Sequence, residues 1–322
     1  MSHEVETMAY ANETPWHGLG RKVSNDLTPE QMMKAARVDW KVHEAPSYAT
    51  YKDQTIPTGQ KVLIRSDTGA VLSNVGQDWH IVQNKDAFKF FTEYVLAGDM
   101  SMETAGSLKG GQIVWALAKI NESFDIFGGD QVDAYLLFSN PHQYGKCIDV
   151  RFTPIRVVCN NTLTLSLSTA SKRAVRVNHA TPFDAELVKE TLGLAHKKFA
   201  EYKEMAEFLG SRRYSIDLLK EYYKEVFPHT TVKKGVENVG EVGKKREMTN
   251  NAKKCFELVG SQPGAEYAEG SWWQAFNSVT YFTDHVQGRD EENRLHNQCY
   301  GKNQLVKTKA LDKALKYARK AA

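Results

Sequence analysis

Ten cationic side chains carry the chemistry this sequence advertises: Arg151, Arg156, Lys172, Arg173 and Arg176 in its middle, and Lys302, Lys307, Lys309, Lys313 and Lys316 near its end. Guanidinium and ammonium groups in runs poor in carboxylates neutralise phosphates. Lysines act as point charges, so they can hold a nucleic-acid backbone without reading bases. From Arg151 to Phe183 there is no Asp or Glu, and from Lys302 to Lys320 the only acid is Asp312. If the last segment is helical, Lys302, Lys309, Lys313 and Lys316 fall near one stripe, with Leu305, Leu311, Leu315 and Ala318 as the expected packed side. If Cys147 to Val158 is a strand, Arg151 and Arg156 point oppositely unless Pro154 interrupts the alternation. A carboxylate partner then explains Arg156 as well as a phosphate does. Tyr214, Tyr222 and Tyr223 interleave with Arg212, Arg213, Lys220 and Lys224. Aromatics so placed can stack single-stranded bases at about 1 to 3 kcal/mol each, and at helical spacing they serve a core equally well.

Other chemistries find less support. Gly18-Leu19-Gly20 lacks the third glycine and the preceding strand of a dinucleotide fingerprint, and Gly243-Lys244 lacks the upstream glycine of a phosphate loop, so no nucleotide cofactor is expected. The ten histidines form no H-E-x-x-H pair, and no metal site is expected. Asp284, His285, Asp290, Glu291 and His296 could collect at one loop as a hydrolytic centre, which keeps a metal-dependent DNA-processing enzyme as a second reading. Cys147, Cys159, Cys255 and Cys299 are dispersed, so buried thiols are expected rather than disulfides or zinc ligands. No catalytic residue is assigned.

The elements that must position these groups divide near residue 180. Before it lie short β-rich runs: Lys61 to Ser66 and Val71 to Val75 about a turn at Gly69, then Trp79 to Val82, Gln112 to Ile120, Val132 to Phe138 and Cys147 to Val158. One helix is predicted over Lys85 to Leu96, closed by Gly98. After 180 the apolar spacing becomes three and four, predicting helices from Asp184 to a stop at Gly210, then Ser215 to Val226, Asn250 to Val259, Trp272 to Thr283 and Gln304 to Arg319. The lysine-rich stretch Thr230 to Arg246 reads as a loop. Strands followed by helices make an α+β protein: a mostly antiparallel sheet in residues 1–180, with a helix-rich basic region over 181–322.

The 322 residues are 41% hydrophobic and 25% charged, which excludes disordered and low-complexity classes. Net charge is +3, but residues 1–150 hold 13 Lys and Arg against 19 Asp and Glu, leaving 29 against 20 for the rest. A basic half beside an acidic one suggests a polyanionic partner. The polar start and the lack of a long apolar run predict a cytoplasmic protein with no membrane partner.

Three strings carry a resemblance. Met8-Ala9-Tyr10 with Pro15-Trp16-His17-Gly18-Leu19-Gly20 is the first. Ala105-Gly106-Ser107-Leu108-Lys109-Gly110-Gly111 with Val114-Trp115-Ala116-Leu117 is the second, and Arg156-Val157-Val158-Cys159-Asn160-Asn161-Thr162-Leu163 the third. Together they resemble the phage/plasmid-like protein family, a domain of unknown function carried by phages, prophages and plasmids. The resemblance implies a mobile-element protein acting on DNA in a bacterial cytoplasm, and it brings no catalytic residue. Physically, Trp16, Trp115 and Cys159 read as packing residues, Gly110-Gly111 as a hairpin turn able to approach a phosphate, and Asn160-Asn161-Thr162 as a helix start after a strand. The expected function is non-enzymatic binding of nucleic acid, single-stranded DNA in recombination, annealing or replication, by a homo-oligomer. A third reading is an interaction factor that counters host defence with its acidic half.

Overall fold

A computed structural model describes residues 5–12, 20–156, 161–162, 174–184, 195–229, 247–287 and 302–320. The larger sheet runs in the order β10 (Asn161–Thr162), β9 (Ile148–Arg156), β8 (Asp130–Pro141), β7 (Ile113–Ile126), β6 (Met100–Leu108), β1 (Val5–Tyr10) and β2 (Arg21–Lys22). β11 (Ala174–Val177) also pairs with β9, and among the described residues only the short β1–β2 contact is parallel. A smaller antiparallel sheet joins β3 (Val42–Tyr51), β4 (Gln54–Arg65) and β5 (Val71–Val75). Strands lie in the first half and helices dominate the second, so the chain is α+β, as the change of periodicity implies.

Three local expectations fail. Trp79 to Val82 is no strand. It is a strap bonded to the segment after β11 and to β8: His80 N–H donates to the His179 carbonyl at 2.7 Å, and Asn140 of β8 donates to the Val82 carbonyl at 2.8 Å. The predicted helix over Lys85 to Leu96 is two short ones, α2 (Asn84–Lys89) and α3 (Thr92–Leu96), interrupted where Phe90 and Phe91 are both buried. Asn161–Thr162 continues the sheet against Ile155 and Arg156 instead of starting a helix, because β9 offers it an open edge. The first helix, α1 (Pro29–Ala35), has no counterpart in the spacing; Thr28 and Gln31 cap it reciprocally, with Pro29 at its first turn.

The two sheets are clamped by Arg65. Its guanidinium lies 4.4 Å from the Trp40 ring, forks onto Asp67 at 3.0 and 2.8 Å, and reaches Glu6 of β1 at 2.5 Å and the Gly110 carbonyl at 3.0 Å. The Arg65 bond holds the Asp67 carboxyl below its usual range despite some burial. A Cβ on Gly111 would sit 2.9 Å from this guanidinium, so Gly111 is closed in by arginine, whereas a Cβ on Gly110 would meet nothing within 4 Å. On the opposite sheet face Trp115 packs with Met8, Tyr10, Leu108, Ile113 and Leu137. A Cβ on Gly106 would overlap its indole and the Thr7 carbonyl, which explains the glycine in the second string. Trp16 and Cys159 lie outside the described residues.

Beside the strap, Asn84 donates its amide N–H groups to the Val38 and Trp40 carbonyls, so its oxygen accepts from His142 Nε2 at 2.8 Å. That fixes a neutral, Nε2-protonated imidazole. Burial, with the nearby His179 and Arg65 charges, pushes the His142 pKa down to about 3. His179 is stacked on Trp79 with ring centroids 4.0 Å apart and bonds the His80 carbonyl. Burial lowers its pKa as well, against the pull of the His80 and Pro141 carbonyls.

The helical half comprises α4 (Ala195–Ser211), α5 (Ile216–Val226), α6 (Asn250–Leu258), α7 (Trp272–Tyr281) and α8 (Lys302–Lys320). Ser215, Thr249 and Ser271 cap α5, α6 and α7, each accepting the backbone N–H three residues on. The bundle is mounted on the far turn of the β7–β8 hairpin. Trp273 donates to Asp130 at 3.0 Å, Tyr202 packs on Phe124, and Phe127 presses against Gly210. Gly210 is the penultimate residue of α4, so the helix closes within one residue of the predicted stop, and the missing side chain makes room for the Phe127 ring. Thr230 to Arg246 lies outside the described residues.

Candidate nucleic-acid interface

Each predicted cation has its own surroundings. Arg151 lies on β9 two residues from Asp149, on the same strand face, and its guanidinium is paired with that carboxylate. Arg176 on β11 is registered opposite Asp149 and exposed. The Arg156 backbone pairs regularly with Val132, so Pro154 introduces no bulge between β8 and β9. Lys172 and Arg173 lie outside the described residues.

α8 carries the lysines as periodicity demands, with two corrections. Lys307 points inward, wholly buried, and donates to Asp284 at 2.9 and 3.2 Å. It is not part of the solvent face. Asp284 reaches it from a π-helical turn, Phe282–Val286, in which one wide turn ends α7. Leu305 is 70% exposed and sits among the lysines, not on the packed side; Leu311 and Ala318 are buried.

The solvent stripe converges on one acid. Glu225, at the end of α5, pairs with Lys313, lies 3.7 Å from Lys316 and accepts a hydrogen bond from the Tyr317 hydroxyl at 2.9 Å. Lys309 donates to the neighbouring Val226 carbonyl at 3.2 Å, where the helix end is partially negative. Partial burial would raise the Glu225 pKa, but the Lys313 and Tyr317 bonds and both lysine charges outweigh it and the carboxyl is held below its ordinary value. Lys309 is shifted down by burial and by Lys313. Three ammonium groups thus gather about one carboxylate, with Lys302, Arg319 and Lys320 exposed along the same helix.

Sequence spacing finds this stripe. It does not find Glu225, which is 88 positions from Lys313 and has no local signal. Two of the interleaved tyrosines are core: Tyr222 and Tyr223 are fully buried, and Tyr222 packs against Trp272 and Tyr317, while Tyr214 is half-buried and donates its hydroxyl to Gln274 at 2.8 Å. Of the loop considered for hydrolysis, Asp284 holds Lys307 and His285 lies 4.9 Å from the Tyr281 ring. Asp290, Glu291 and His296 lie outside the described residues. Among the described residues no group of three or more His, Cys, Asp or Glu side chains could hold a metal ion. No described helix is long and apolar enough to cross a membrane.

An antiparallel sheet with a helical bundle mounted on one hairpin, and a cationic helix along that bundle, defines the class. The chain belongs to the DUF932 family, a domain of unknown function, whose model matches residues 71–314. No curated protein and no solved structure matches it.

Proposed function

We propose that the protein binds nucleic acid along the outer stripe of α8, contacting phosphates without reading bases, and that its ligand is single-stranded DNA held for annealing in recombination or replication of a mobile element. The gathering of Lys309, Lys313 and Lys316 about a single carboxylate carries this reading, because positive charge exceeds negative along a helix about 28 Å long. The excess of 29 basic over 20 acidic residues after position 150 supports it. The mobile-element setting rests on the resemblance of the three strings to phage and plasmid proteins. Asp284 is committed to a buried ion pair, which favours binding over hydrolysis at that loop.

Fluorescence anisotropy with labelled single- and double-stranded oligonucleotides, over a salt series and with and without Mg²⁺, tests the reading. Binding that weakens steeply with salt, favours single strands and leaves the oligonucleotide intact is expected. Cleavage that needs Mg²⁺ would replace it with a processing enzyme, and no binding at low salt would end it.

A further inference from the structure

The Glu225 carboxylate, near the end of α5, sits among donors that all come from α8. It pairs with Lys313, stands 3.7 Å from the Lys316 ammonium and accepts the Tyr317 hydroxyl at 2.9 Å. Two ammonium groups and one hydroxyl proton make a donor set for an anion, and phosphate oxygens suit it as well as carboxylate oxygens do.

The donors are held while the carboxylate is free to leave. Tyr317 is buried, its ring 5.3 Å from that of Trp272 and 6.3 Å from that of Tyr222, so its hydroxyl is fixed at the surface of the bundle. Lys316 and Lys320 place their ammonium groups 5.9 and 5.8 Å from the centre of the same ring. Lys309 donates to the Val226 carbonyl and so offsets the negative end of α5, which would otherwise repel an anion. Glu225 is 33% exposed and lies one residue from the end of its helix, and its long side chain can turn out to solvent without disturbing Tyr317.

We infer that Lys313, Lys316 and the Tyr317 hydroxyl form a phosphate subsite that the protein fills with its own Glu225 carboxylate, and that nucleic acid binds there by displacing it. The inference rests on the nucleic-acid reading of α8 and adds a regulation of that surface. A tethered acid competes with the ligand, so the apparent affinity is the intrinsic one scaled by the fraction of molecules in which Glu225 has turned away.

Anisotropy titrations of a labelled single-stranded oligonucleotide over a salt series, on the full chain, on Glu225→Gln and on Glu221→Gln, test the inference. Glu221 lies one helical turn before Glu225 and pairs with Lys224 at 2.8 Å, so its replacement makes the same change in net charge outside the subsite. Glutamine keeps the size of glutamate, and circular dichroism and melting check that both variants keep the parent's fold. Glu225→Gln is expected to bind about fivefold more tightly than the parent at low salt, the scale of the surface ion pairs it releases. Its salt slope should be steeper by about one, because a lysine then meets phosphate in place of carboxylate. Glu221→Gln should gain clearly less, at the parent's slope. Binding by Glu225→Gln that is no tighter than the parent's would overturn the inference and leave the nucleic-acid reading standing, since the carboxylate would then be positioning the lysines. An equal gain in both variants would overturn it too, as an effect of net charge. If none of the three proteins binds at low salt, the nucleic-acid reading fails and the inference falls with it.

Discussion

Trp273 donates its indole N–H to the Asp130 carboxylate at 3.0 Å, with both side chains buried and 143 positions between them. The bond ties α7 to the turn of the longest hairpin, so the helical half and the sheet share one polar fastening inside an apolar contact. Replacing Trp273 by Phe keeps most of the ring and removes the donor. A loss of about 1 to 3 kcal/mol in urea unfolding is expected. An unchanged midpoint would mean the fastening is packing alone.

Gly210 and Phe127 make a second test of the same junction. An added Cβ would overlap the Phe127 ring, so Gly210→Ala should destabilise by about 1 to 3 kcal/mol. In a Phe127→Ala background the sign should reverse, because the clash is gone and alanine gains about 1 kcal/mol over glycine in a helix. Thermal melts of the four proteins decide this. Equal effects of Gly210→Ala in both backgrounds would show that the ring does not constrain the helix.

Lys307 and Asp284 are both wholly buried, so removing one takes the paired counter-charge away from the other inside the core. Lys307→Met is expected to cost about 3 to 5 kcal/mol, and adding Asp284→Leu to recover much of it. Chemical denaturation of the single and double variants measures the coupling. Additive losses would contradict an ion pair acting as a unit.

How much of this is legible in the sequence follows the range of each interaction. The turn at Gly69 and the helices over 216–226, 250–258 and 302–320 arise from local spacing and caps, and periodicity places them within a few residues. The Trp79 to Val82 strap resembles a strand in sequence because its apolar residues do face the core. Its backbone partners, His179 and Asn140, lie 58 or more positions away. The lysine stripe is readable from helical geometry, whereas the inward turn of Lys307 depends on Asp284, delivered by a π turn that no composition signals. β3 and the outer half of β4 are not read from the sequence, because Pro46, Pro57 and Gly59 break the apolar alternation by which a strand is recognised.

The two buried histidines set the acid response. His142 and His179 are neutral when folded and take up protons on unfolding, since both folded-state pKa values are depressed. The unfolded chain then binds more protons below the ordinary imidazole pKa. Stability should fall as pH drops below about 6.5 and, for His142, keep falling toward about 3. Each histidine adds a slope of about 1.4 kcal/mol per pH unit where it contributes fully. His142→Gln should flatten the unfolding free energy between about pH 4 and 6 by about one proton. The same slope in variant and parent would show that His142 already titrates in the folded state.

The salt dependence of single-strand binding, compared between the parent and a variant carrying Lys302→Glu, Lys316→Glu and Lys320→Glu, bears most directly on the proposed nucleic-acid interface. These three lysines are exposed along α8, and none makes the buried contacts of Lys307 or the close Glu225 pairing of Lys313. Each phosphate that is no longer neutralised should reduce the slope of log affinity against log salt by about one. The variant should therefore bind far more weakly at low salt and with a slope shallower by about two to three, at unchanged helix content. A variant that binds like the parent, with the same slope, would show that the α8 stripe is only a solvated surface and that nucleic acid, if bound, sits elsewhere.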